Sequence, residues 1–176
     1  MNIHSKYVHL IVLNIMVVML PSCAIKARPY TPTDTGDVSY LRIVSPPGYE
    51  LPETTYVYTY KSPDSCKGRY YLQGFKWIDK SSFSYIKINS GEVFALSLQP
   101  FWLGTNYGSR GCHVGVSFTP QRNRYYTAIL KAKREDDYCY VAIRSSEYPN
   151  SELIDVPTER KEMGGSPMDE DSSFCK

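Results

Sequence analysis

Five cysteines are the residues of this chain best suited to chemistry, because a thiol can form a disulfide, bind a metal or carry a covalent modification. They are Cys23, Cys66, Cys112, Cys139 and Cys175. No two of them lie within twenty residues of each other, whereas zinc sites usually contain close pairs such as C-x-x-C. The spacing therefore favours disulfides over a metal site, and we expect no metal and no other cofactor.

The residues before Cys23 have the pattern of an export signal. Lys6 supplies a positive charge near the start, and residues 10–20 are apolar with one exception. An apolar core of this length is shorter than the ~20 residues of a membrane-spanning helix and fits the ~7–15 residues of a signal-peptide core. Residues 1–22 are therefore predicted to be a cleaved signal peptide.

The four residues Leu20-Pro21-Ser22-Cys23 resemble the lipobox of bacterial lipoproteins, in which a Leu, a variable residue and a small residue precede an obligatory Cys. The resemblance implies a diacylglyceryl group on the Cys23 thiol, cleavage after Ser22 and acylation of the new amino terminus. Several acyl chains, at ~0.8 kcal/mol per buried methylene, form a nearly permanent membrane anchor. The alternative is an ordinary signal peptide that ends near a cysteine.

The residue after Cys23 is Ala24. In lipoproteins of this kind an Asp at that position favours retention in the inner membrane, so the resemblance implies sorting to the outer membrane. The domain would face the periplasm, with exposure on the cell surface left open.

The sequence offers little support for catalysis. His113 is the one histidine after residue 22, and the chain contains no G-x-S-x-G motif, so no nucleophile and base are placed together. The carboxylates cluster in predicted turns and near the end of the sequence, where they are expected to be solvated. We therefore predict that the protein is not an enzyme.

Aromatic residues are the remaining candidates for a binding surface. Trp77 and Trp102 lie near the ends of predicted strands, and Tyr107 and Arg110 lie in the Gly-rich segment 104–111. Exposed Trp, Tyr and Arg side chains suit a protein interface or the stacking of sugars. The alternative is that Trp102 packs at one end of the core, since large aromatic side chains are mostly buried.

Composition indicates one domain that does not bind nucleic acid. The formal charge is +2 and the pI about 8.2, whereas a nucleic-acid-binding domain has a pI above ~9. Residues 23–37 lack periodicity and are predicted to be a lipidated cysteine with a flexible tether. Residues 38–156 are predicted to form the domain, and residues 157–176 a charged tail.

Sixteen tyrosines and frequent Gly and Pro residues favour short strands separated by turns. We predict a single antiparallel β-sandwich of about eight strands and no helix. The strands are predicted at residues 38–44, 54–60, 69–75, 83–88, 92–98, 112–119, 124–133 and 137–144.

Side-chain parity suggests how the cysteines pair. Cys112 shares one face of its predicted strand with Val114 and Val116, and Cys139 shares a face with Val141 and Ile143. With Cys23 assigned to lipid, four cysteines remain, which allows two disulfides in three arrangements. We favour Cys112 with Cys139, which leaves Cys66 with Cys175 and would fix the charged tail to the domain.

A second resemblance covers about thirty residues. Gly111-Cys112, Ser117-Phe118-Thr119-Pro120, Tyr125-Tyr126 and Cys139 together resemble a pattern in small, uncharacterised proteobacterial lipoproteins. That resemblance supports the fold and the disulfide and implies no activity.

Three functions remain open from the sequence. The first is a membrane-anchored, non-enzymatic lipoprotein that binds an envelope protein or belongs to an envelope or secretion complex. The second is a glycan-binding or glycan-cleaving module that uses the tryptophans and a carboxylate. The third is an inhibitor that presents residues 104–111 to a hydrolase.

Overall fold

The computed structural model describes residues 28–33, 37–49, 52–76, 84–103, 110–133, 139–161, 163 and 175. These residues form β-strands and no helix, which confirms the predicted all-β class. The predicted signal peptide and Cys23 lie outside the described residues. No described segment is a helix of the length and apolarity that crossing a membrane requires.

Eight of the strands correspond to the eight predicted from alternation. They are β2 (Val38–Val44), β3 (Thr54–Ser62), β4 (Lys67–Lys76), β5 (Ile86–Asn89), β6 (Phe94–Trp102), β8 (Val114–Phe118), β9 (Tyr125–Ala132) and β10 (Cys139–Ser146). The others are only two or three residues long: β1 (Arg28–Pro29), β7 (Arg110–Gly111), β11 (Ile154–Asp155) and β12 (Glu159–Lys161). Strands this short carry no visible alternation, so the sequence underestimates the number of strands.

The strands form two sheets that pack face to face. The large sheet has the order β1-β4-β3-β6-β8-β12, with β7 beside β6, and the small sheet has the order β11-β10-β9-β2-β5. Most neighbours are antiparallel, but β1 runs parallel to β4 and β2 runs parallel to β9. Both sheets are therefore mixed rather than purely antiparallel.

The core lies between the inner faces of the sheets. In β2 every second residue is buried, and Leu41 and Ile43 are fully enclosed. Leu96 and Leu98 of β6 and Val114 and Val116 of β8 belong to the same apolar cluster. A period of two on each strand thus sorts the side chains between core and surface.

The folded domain extends past its predicted limits of 38–156. The backbone amide of Tyr30 donates to the carbonyl of Tyr71, 2.9 Å away, and β1 adds a parallel strand to the edge of β4. At the other end β12 pairs with β8. Residues 28–33 and 159–161 therefore belong to the domain, so the predicted tether at 23–37 is wrong for residues 28–33.

Both predicted disulfides are present. Cys112 and Cys139 have Cα atoms 6.0 Å apart, and Cys66 and Cys175 have Cα atoms 5.3 Å apart. Cys66 and Cys175 join Tyr60 and Ala95 in a second apolar cluster on the outer face of the large sheet, where Met163 also packs. All described strands and both disulfides lie within residues 28–175.

Candidate functional site

The four residues predicted to form a binding surface do not come together in the part of the chain that the structure describes. Trp102 is only 2% exposed and belongs to the core, so its assignment to a binding surface is wrong. At the end of β6 the alternation that buries Leu96 and Leu98 also turns Trp102 inward. Arg110 pairs with Trp102 through the backbone of β7, whereas Trp77, Tyr107 and the rest of segment 104–109 lie outside the described residues.

A cleft of about 560 Å³ lies at the open edge of the sandwich instead. This volume falls within the ~300–1,000 Å³ typical of small-molecule sites. One wall is the segment that follows β1, and the others come from the end of β3 with its turn, from β4, and from the segment 89–94. Its lining comprises Pro29, Tyr30, Thr31, Thr33, Thr59, Tyr60, Lys61, Pro63, Asp64, Tyr70, Asn89, Glu92, Val93 and Phe94.

The wall after β1 is held in place by hydrogen bonds to Asn89. The backbone amide of Asn89 donates to the Tyr30 hydroxyl over 3.0 Å. Its side-chain Oδ1 accepts from the amide and the hydroxyl of Thr33, at 3.0 and 3.2 Å. Residues 30–33 therefore bridge the edge of the large sheet at β4 and the edge of the small sheet at β5.

Tyr30 is the central aromatic residue of the cleft. Its ring meets Tyr70 and Phe94 edge to face, with centroids 6.4 and 6.2 Å apart, a favourable arrangement for aromatic pairs. Burial raises the pKa of the Tyr30 hydroxyl, and the hydrogen bond from Asn89 opposes that rise. The hydroxyl thus stays protonated at neutral pH and keeps a proton to donate to a ligand.

Tyr60 and Thr59 form the inner part of the cleft. The Tyr60 hydroxyl lies 2.8 Å from the Ser97 hydroxyl, and burial raises the Tyr60 pKa to about 12. The Thr59 hydroxyl donates to the carbonyl of Ala95 over 2.8 Å. These polar groups are satisfied within the protein, so the floor is fixed before any ligand binds.

Among the described residues that line the cleft, the charged side chains lie only on its rim. Lys61, Asp64 and Glu92 are exposed, whereas the two carboxyl groups of a glycosidase flank the scissile bond inside the cleft. The described lining includes no Ser, Cys or His side chain. The arrangement of rings, hydroxyls and a carboxamide suits non-covalent binding of a polar ligand that also has an apolar face.

Comparisons with protein-family models, curated proteins and solved structures found no match.

His113 lies outside the cleft, between β7 and β8. It is half-buried, and burial, assisted by the charge of Arg69, lowers its pKa to about 4. Its Nε2 is buried and has no hydrogen-bond partner among the described residues. The imidazole is therefore neutral at physiological pH, and its Nε2 is enclosed by protein.

No group of three or more metal-binding side chains occurs within the part of the chain that the structure describes. The cysteines that could have bound a metal are instead joined in disulfides.

One wall of the cleft lies within the predicted tether at residues 23–37, so the cleft is not visible in the sequence. The signal available was weak: a lone tyrosine between Pro29 and Thr31 gives neither alternation nor a run of apolar residues. The contacts of Tyr30 arise from residues about 40 and 60 positions away, Tyr70 and Phe94, and they become visible only in the folded chain.

Proposed function

We propose that the protein is an exported lipoprotein, acylated at Cys23, whose sandwich binds a ligand without catalysis at the membrane surface. Cysteine pairing supports this proposal. The two disulfides use four of the five cysteines, so Cys23 is the one cysteine outside these bridges. Two disulfides in one small domain also favour an oxidising compartment such as the periplasm.

The observation that carries the proposal is the position of the cleft next to the proposed anchor. Its first wall begins at Pro29, six residues after Cys23. A chain of this length spans at most ~20 Å when fully extended. A ligand in the cleft would therefore lie close to the membrane. The proposed location is the periplasmic side of the outer membrane.

The lining of the cleft favours a saccharide as the ligand. Three tyrosines and a phenylalanine supply apolar surface, while threonine hydroxyls and the Asn89 carboxamide supply donors and acceptors. Because the carboxylates of the rim are exposed, the geometry supports binding of a glycan rather than its cleavage. An envelope protein that presents a polar loop to the cleft is the second candidate partner.

Mass spectrometry of the mature amino terminus tests the anchor directly. In a bacterial host that processes lipoproteins, we expect the chain to begin at Cys23 with the mass of its acyl groups added, and to fractionate with membranes. The variant Cys23→Ser should accumulate as a soluble or unprocessed chain. An unmodified amino terminus at or near residue 23 in the unaltered protein would refute the proposal of acylation.

Titration with cell-envelope saccharides tests the cleft. We expect soluble peptidoglycan or outer-membrane sugar fragments to shift the amide resonances of Thr31, Thr33 and Asn89. The variant Tyr70→Ala should weaken binding by about tenfold, because it removes one aromatic wall, whereas the exposed-surface control Tyr148→Ala should leave binding unchanged. Equal binding by both variants would exclude the cleft as the site.

A further inference from the structure

The outward side of the small sheet carries an excess of positive charge. Pairing of β2 with β5 and β9, and of β9 with β10, places four cations on this side: Arg42, Lys87, Lys131 and Arg144. The outward positions of the same five strands include one carboxylate, Asp155, which pairs with Arg144 at 2.7 Å. We call this side the basic face. Residues 134–138, which include three carboxylates, lie outside the described residues.

Tyrosines stand between these cations. Tyr40 stacks on Tyr125 with ring centroids 4.9 Å apart, and Tyr85 meets Tyr125 edge to face at 5.1 Å. Tyr140 is 44% exposed and its ring lies 6.0 Å from the Lys131 ammonium. Each tyrosine presents an apolar ring and a polar hydroxyl. This combination is enriched where proteins meet a membrane interface.

The corresponding side of the large sheet is already occupied. Met163 and Cys175 pack there against Tyr58 and Tyr60, and the Cys66–Cys175 disulfide holds them. Within the described part of the chain, no element packs over the basic face. The two sides of the sandwich therefore differ in what they offer a partner.

The short distance along the chain from Cys23 to β1 indicates which partner the basic face would meet. Arg28 begins β1 five residues after Cys23, a reach of at most ~18 Å. The segment after β1 runs to the edge of the small sheet, where Thr33 is bonded to Asn89 of β5. An acyl anchor on Cys23 thus keeps the basic face near a lipid surface, at a high effective concentration of headgroups.

We propose that the basic face docks on anionic phospholipid headgroups, so that the domain lies flat on the membrane. For its geometry this proposal rests on the acylation of Cys23 proposed above. Lysine and arginine side chains would contact the phosphates, and the tyrosine hydroxyls would hydrogen-bond at the headgroup level. The docked orientation leaves the cleft open at the side of the domain, just above the membrane surface.

Vesicle binding by residues 24–176 tests the face independently of acylation, because this chain keeps every described strand and both disulfides but lacks Cys23. We expect it to co-sediment with vesicles of phosphatidylethanolamine and phosphatidylglycerol, and not with vesicles of phosphatidylcholine. Raising the salt from about 0.05 M to about 0.5 M should release it, because exposed charges are then screened.

Two charge-matched variants localise the contact. The double variant Lys87→Glu with Lys131→Glu should lower the partition coefficient at least 25-fold, since each cation near an anionic surface contributes roughly a fivefold increase. The control Lys61→Glu with Lys67→Glu makes the same change in net charge, but on the large sheet. It should lower the partition coefficient less than about threefold. Equal losses would show attraction by net charge alone and overturn the proposal.

A tryptophan reporter checks the orientation. In Tyr140→Trp, brominated lipids should quench the fluorescence of the new side chain, whereas in Tyr56→Trp, on the large sheet, they should not. Absence of binding to anionic vesicles, or binding to a soluble anionic polysaccharide alone, would overturn the proposal. Neither result would bear on the acylation of Cys23, which the mass of the mature amino terminus tests. The two proposals can therefore be refuted separately.

Discussion

Gly68 shows how one residue controls the turn that brings Cys66 to its disulfide partner. Its φ is +64°, and a Cβ built there would lie 2.9 Å from the Cβ of Lys61. Cys66 itself has a φ of 50°, so two residues of this turn occupy the left-handed region. The turn can close only because one of them is glycine.

Replacing this glycine should be costly. We expect Gly68→Ala to lower the free energy of unfolding by about 2 kcal/mol or more, from left-handed strain and displacement of Lys61. Gly91→Ala is the matched control, because Gly91 has a φ of +88° but nothing within 4 Å of the added Cβ. It should cost about 1 kcal/mol, and equal losses in urea unfolding would contradict the role of the Lys61 contact.

His113 should make stability depend on pH. Its pKa is lowered from 6.5 to about 4 in the folded protein, so the unfolded chain binds more protons between these values. The stability linked to this group is therefore fully present above about pH 6.5 and is lost as the pH falls toward 4, by up to about 3 kcal/mol.

Urea unfolding of the unaltered chain and of His113→Gln at pH 7.5 and pH 4.5 checks this expectation. Glutamine does not titrate in this range, so the variant should lose much less stability on acidification. Carboxylates such as Glu159, whose pKa is lowered by Lys161, act equally in both proteins and cancel in the difference. Parallel pH profiles would show that His113 titrates normally.

At the scale of elements, the segment after β1 closes the open edge of the sandwich through Tyr30. We expect Tyr30→Phe to lower the free energy of unfolding by about 1 kcal/mol, since the Asn89 amide loses its acceptor while the ring remains. Tyr148→Phe, at a side chain 68% exposed, is the control and should have no measurable effect. If Tyr30→Phe is also silent, the hydrogen bond from the Asn89 amide to the Tyr30 hydroxyl does not stabilise the fold.

The two disulfides should differ in how much they stabilise the domain. Cys66 and Cys175 are 109 residues apart, and Cys112 and Cys139 are 27 apart. In the chain-entropy model these loops correspond to about 4.8 and about 3.6 kcal/mol. Paired cysteine-to-alanine variants, compared by urea unfolding, should therefore show the larger loss for Cys66 and Cys175, and the reverse order would contradict the entropic account.

Alternation explains which elements the sequence could predict. Residues 38–44 alternate between core and surface over seven positions, and the predicted strand matches β2 at both ends. The same parity correctly paired Cys112 with Cys139. Strands β1 and β12 could not be predicted, because two or three residues define no period and their pairing depends on distant strands.

At the scale of the whole molecule, the core could be predicted and the cleft could not. The apolar faces of β6 and β8 follow from local pattern, whereas the cleft is assembled from residues as far apart as Pro29 and Phe94. Trp102 illustrates the same limit: its residue type suggested a surface contact, but its parity within β6 placed it in the core. The cleft depends on tertiary neighbours that no local motif in the sequence indicates.

The order of the disulfides along the chain has a consequence for biosynthesis. The Cys66–Cys175 bridge encloses the Cys112–Cys139 bridge, so the first of these cysteines to emerge during synthesis is not bonded to the next. An oxidase that joined these cysteines in the order of their synthesis would produce Cys66–Cys112. That bridge prevents both native bridges from forming. If oxidation followed that order, the native bridges would require disulfide exchange, unless Cys66 stayed reduced until Cys175 had been synthesised.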